Sequence, residues 1–316
     1  MLHRTSHGTA DSHQEDRLRR RAVLLTELGS PQAPKRITQR PFDYDSSHYQ
    51  RLCAVASDEQ PRAMALLNYA LDLRYQSEVQ LDLFRYLLPI CLAAWEDNLA
   101  GRASYTGFVD EFYPALAQTR LWDQMLTPSA AAAVAEYMRG ALLSVIDQQC
   151  RLSFSGEARG PHQWIAALAS YGVLRPDLDL LWSAWWNVDT VGRAISCIQY
   201  ASCLLYSESD HPVFAPWTPR SGGGPPVLWH YAGHLYDERW RPENLAFLER
   251  TLIAEYVCAK LSAAAARITS DPEATIARRV AQDAAQRDVI LRSRCRELPE
   301  RFQTRTDTAS SLRWTS

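Results

Sequence analysis

From residue 47 to about residue 303, apolar residues recur at steps of three and four almost without interruption, and no feature constrains the fold more. In "LFRYLLPICLAAWEDNL" the series is Phe84, Leu87, Leu88, Cys91, Leu92, Trp95 and Leu99, one face of a helix. Asp82 stands ready to cap that helix, and Pro89 inside it predicts a kink or a break. "TPSAAAAVAEYMRGALLSVIDQQC" opens with Thr127 as N-cap and Pro128 at the first helical position. Its apolar face is Val134, Tyr137, Met138, Ala141, Leu142, Val145 and Ile146.

"PDLDLLWSAWW" predicts a short helix, and "DTVGRAISCIQYASCLLY" one that is apolar nearly all round, hence central and buried. Two long helices are expected over 242–268 and 272–298, each with Pro in its first turn. There is no alternation of strand and helix, no G-x-G-x-x-G and no HExxH. The expected fold is mainly α: an irregular multi-helix bundle or a short helical-repeat-like domain, with one β-hairpin and a long Pro/Gly-rich loop.

The hairpin and loop fall in "HPVFAPWTPRSGGGPPVLWHYAGHLYDERW", residues 211–240, which breaks the helical pattern. It holds three of the eight His, three of the ten Trp, five Pro and four Gly. "VLWHYAGHLYDE" reads as a hairpin over about 227–238, with Ala232-Gly233 at its turn. A two-residue turn pairs Tyr231 with His234 and His230 with Leu235, so the two His point to opposite faces. A shared metal site would need them on one helix face, so none is expected. "SGGGPP" lacks the strand before and helix after that a phosphate loop needs.

The flanks divide off. Residues 1–46 read as a flexible N-terminal arm and linker, 47–303 as the helical domain, and 304–316 as a disordered tail. Residues 1–40 carry eight basic and four acidic groups, a local charge of +4. Deleting them is expected to leave the melting temperature nearly unchanged.

Net charge is -2, so no nucleic-acid partner is expected. No run approaches the about 18 apolar residues of a membrane span, and no signal-peptide pattern opens the chain. Of 34 basic residues only Lys35 and Lys260 are Lys; with abundant Ala this is a bacterial-like, GC-rich composition. The seven Cys are scattered without a CxxC, which points to reduced thiols in the cytoplasm and to neither disulfides nor structural zinc.

Two groups of residues are candidates for function. Trp182, Trp185 and Trp186 form one aromatic ridge at i, i+3 and i+4, and Phe214, Trp217, Trp229 and Tyr231 sit on the Pro-stiffened loop and hairpin. Together they suggest a cytoplasmic protein-interaction module, an adaptor or an inhibitor or immunity-type protein, whose partner is another protein and which needs no cofactor. The competing class is a small-molecule enzyme or ligand-binding protein with its pocket under 207–240. Glu208, Asp210, His211, His230, His234 and Asp237 would supply the polar groups there, or Cys197 or Cys203 a thiol beside His211 or His230. The adjacent carboxylates Glu96-Asp97, Asp110-Glu111 and Asp237-Glu238 read as helix surface charge, since helix neighbours diverge by about 100°.

Overall fold

The computed structural model describes residues 6–40, 47–54, 63–152, 178–206 and 240–304. The described residues are mostly helical and contain no strand. The expected hairpin and Pro/Gly loop lie outside them, as does the tail beyond Thr304. Two compact units divide the chain, residues 1–144 and residues 145–316, where the sequence predicts a single helical domain from 47 to 303.

Unit 1 contains α1 (Ser6–Glu27), α2 (Ser47–Ala54), α3 (Ala63–Tyr75), α4 (Leu81–Leu99), α5 (Thr106–Ala117), α6 (Thr119–Asp123) and most of α7 (Pro128–Asp147). α3 packs most extensively on α5. Every apolar residue predicted on the face of α4 is buried, as is every one on α7. α4 runs unbroken through Pro89, which is itself buried. Thr127 caps α7 through its hydroxyl, which accepts from the Ala130 N–H at 3.2 Å.

α7 corrects the expectation about apolar runs. By length and composition its 20 residues are enough to cross a membrane, and half of its most apolar window is buried in the protein. Runs of Ala between Ser129 and Glu136 carry that apolarity, and Glu136 and Arg139 pair with each other within it.

The flexible arm is also corrected. Residues 6–27 are helical, and Leu24 within them and Leu28 just after them are buried. The Arg20 guanidinium donates to Glu96 Oε1 at 2.8 Å, and Arg17 bridges Glu96 and Asp97 at 3.5 and 2.9 Å. Tyr137 donates its hydroxyl to Glu96 Oε2 at 2.5 Å. Glu96 is 3% exposed, so it is not surface charge but the buried anchor of α1. Gly140 of α7 makes room for this, since a Cβ there would stand 2.6 Å from Arg20 Cδ.

Past α1 the chain turns at Gly29, whose φ of +79° suits a residue without Cβ. The Gln80 side chain then pins the following segment. Its Oε1 accepts from the Thr38 and Gln39 N–H groups at 2.7 and 3.1 Å, and its Nε2 donates to Arg36 O at 2.8 Å. Gln39 in turn donates to Tyr49 Oη at 2.9 Å, and Tyr49 donates to the buried Asp72 at 2.5 Å. Polar side chains tie down this apolar-poor segment, which a search for hydrophobic period passes over.

Unit 2 contains α8 (Leu178–Trp186), α9 (Val191–Leu205), α10 (Pro242–Thr251), α11 (Ala254–Arg267), α12 (Glu273–Gln286) and α13 (Asp288–Thr304). α9 is central, as its all-round apolarity predicts: α8, α11, α12 and α13 all pack on it. Gly192 at its start lies against the Ile146 and Asp147 carbonyls, which a Cβ would meet at 2.4 Å. Arg193 then grips Asp147 with two bonds of 2.8 and 3.0 Å.

Each of the two long C-terminal helices is split. The first breaks at Leu252 and Ile253, whose ψ of 74° and 154° lie outside the helical range. Leu252 is thereby buried and Ile253 left exposed. The second breaks at Arg287, whose guanidinium lies 5.3 Å from the Tyr206 ring centroid. Neither break has a Gly or an internal Pro to announce it.

Candidate functional site

The tryptophan ridge is core. Trp182, Trp185 and Trp186 are each at most 1% exposed. Trp182 stacks on Trp186 at 4.7 Å, and Tyr200 presents its edge to all three. Tyr256 of α11 stacks on Trp186 at 5.5 Å and accepts the Trp182 indole N–H at 3.2 Å. The spacing i, i+3, i+4 places the three on one face, and that face points at α9 and α11 rather than at solvent. It offers no surface to a partner.

The other sequence candidates, Glu208, Asp210, His211, Phe214, Trp217, Trp229, His230, Tyr231, His234 and Asp237, lie outside the described residues. Of that stretch only Trp240 is described, and it is buried. Cys197 is fully buried and its thiol is pushed well up by burial, the opposite of an activated nucleophile.

The breaks in the C-terminal helices create a different site. The α10–α11 junction and α13 enclose a groove of about 400 Å³ within unit 2. Glu249, Leu252, Ile253, Ala254 and Glu255 line one side, and Arg292, Cys295 and Arg296 the other. Arg292 crosses the middle to Glu255 at 2.6 Å and reaches back to Asp288 at 3.4 Å. Arg296 stands exposed beside it.

Charge and apolarity alternate here. One wall carries two carboxylates and the other two guanidinium groups, and the branched aliphatics Ile253 and Val289, 46% and 75% exposed, stand beside them. Val289 lies one helical turn before Arg292, so it continues the same face of α13. The Cys295 thiol at the groove floor is pushed up to about 12, first by burial and then by Cys258 and Glu255. It is therefore protonated near neutrality and acts as a small apolar group.

No sequence signal marked this groove, because both helices keep their period through the breaks. Its one trace is that the branched residues Ile253 and Val289 stand exposed.

Among the described residues no cluster of three or more His, Cys, Asp or Glu is placed to hold a metal ion. Compared with protein-family models, with curated proteins and with solved structures, the chain matches none.

Proposed function

We propose that this chain is a protein-interaction module and that the groove between the α10–α11 junction and α13 is its binding surface. The observation that carries the reading is the grouping of exposed Ile253 and Val289 beside a cleft with charged walls. Interfaces join an apolar centre to a polar, charged rim, and exposed aliphatics gathered beside a groove are how such a centre looks without its partner. The walls hold their charges on α10, α11 and α13, and α10 and α11 both pack on α13, so little ordering is needed on binding. The Trp ridge is buried and takes no part in this surface. The six described cysteines are free thiols, which favours a reducing compartment such as the cytoplasm.

Site-specific photo-cross-linking tests the reading. A benzophenone side chain at Ile253 is expected to give discrete protein adducts in the native host. The same group at Leu180, half-exposed on α8, is the control and should give none. Absence of adducts at Ile253, or equal yields at both positions, overturns the proposal.

A further inference from the structure

We propose that the occupant of this groove is a second copy of the same chain, docked about a two-fold axis. The inference rests on the interaction reading above and names its partner.

The argument is one of symmetry. A two-fold interface applies one patch to itself, so that patch must be complementary to its own rotated image. This groove meets that demand. Glu249 and Glu255 lie on one wall, Arg292 and Arg296 on the other. Rotation about an axis through the groove exchanges the walls and sets each acidic wall against a basic one. A partner of uniform charge would instead meet a like-charged wall and lose there what it gained on the other.

With the walls exchanged, α13 of each copy faces the α10–α11 junction of the other. Val289, exposed one turn before Arg292, then finds apolar cover toward the exposed Ile253 of the other copy. The Arg292–Glu255 bridge within each chain is more than half exposed, so it contributes little alone and is free to exchange partners.

Sedimentation velocity on the full chain, from about 1 to about 100 μM, reads the association directly. Wild-type protein is expected to move from 35.8 kDa toward twice that mass as concentration rises. Glu249→Arg/Glu255→Arg and Arg292→Glu/Arg296→Glu should each stay monomeric, while their equimolar mixture forms a heterodimer. A monomer at every concentration overturns the proposal, as does a mixture that fails to associate while wild type does. Val289→Asp, on a side chain three-quarters exposed, supplies a variant whose fold is not at stake and should also be monomeric. A benzophenone at Val289 separates this inference from the reading beneath it. An adduct at twice the chain mass supports the two-fold dimer. Adducts to other proteins alone overturn the dimer and leave the interaction module standing; no adduct overturns both.

Discussion

Unit 1 and unit 2 each hold an N-terminal or short helix in place, by opposite means. In unit 1, α1 is fastened by charge: Arg17 and Arg20 converge on the buried Glu96, which also accepts from Tyr137. In unit 2, α8 is fastened by area: three Trp packed on one another close against Tyr200 and Tyr256. The difference teaches where each unit fails. A buried ion network is sensitive to the loss of one partner, because the survivor is left charged and dry. Replacing the whole network with apolar groups of similar volume need cost nothing. An aromatic core has no such asymmetry, and every deletion leaves a void.

Removing α1 should have the largest effect. Deletion of residues 1–28 strips Glu96 of both arginines and uncovers the surface under Leu24, so urea unfolding should show a loss of at least about 4 kcal/mol. Glu96→Leu combined with Arg17→Met and Arg20→Met should recover most of what Glu96→Leu alone loses. If single and triple variants are equally unstable, area rather than charge fastens α1 as well.

Trp186→Ala comes next, at about 3–5 kcal/mol, from a site with no exposure. No second substitution nearby should restore it. Gly192→Ala is smaller, about 1–3 kcal/mol, because the new methyl must push apart the Ile146 and Asp147 carbonyls. A neutral result in thermal melts would mean that α9 can slide.

Smaller still are the alkaline effects. The Cys295 thiol rises from 9.0 to about 12 on folding, so the folded state holds its proton longer than the unfolded chain. The stability this represents is fully present below pH 9 and is lost as pH climbs toward 12. Burial moves the Tyr137 and Tyr206 hydroxyls up as well, each reinforced by its carboxylate partner, and these add loss above about pH 10. Alkylation at pH 8 should accordingly modify the exposed Cys150 first and reach Cys295 only in denaturant. Equal labelling rates would contradict the buried, neutral thiol.

Helical period revealed most of the fold. The faces of α4 and α7 and the central place of α9 were all legible, because each is decided by where apolar side chains fall on one helix. Interactions between distant polar residues were not. Glu96 follows Phe84, Leu88 and Leu92 at steps of four, so its inward direction was readable, but the arginines that make burial tolerable lie some seventy-six positions away. Arg17, Arg20, Leu24 and Leu28 likewise share a face of α1 that the run of Arg disguised. The breaks at Leu252 and Arg287 left no mark, since tertiary packing rather than local propensity sets them. The Trp spacing placed three rings together and could not say whether their face meets protein or solvent.

The central claim is that unit 2 binds through its split-helix groove and uses its tryptophans only for stability. One paired measurement on Val289→Asp tests it most directly: urea unfolding and sedimentation velocity on the same sample. Stability should stay within about 0.5 kcal/mol of wild type, as expected for an exposed position, while self-association disappears. A variant that loses about 2 kcal/mol or more, or one that associates as wild type does, would contradict the account.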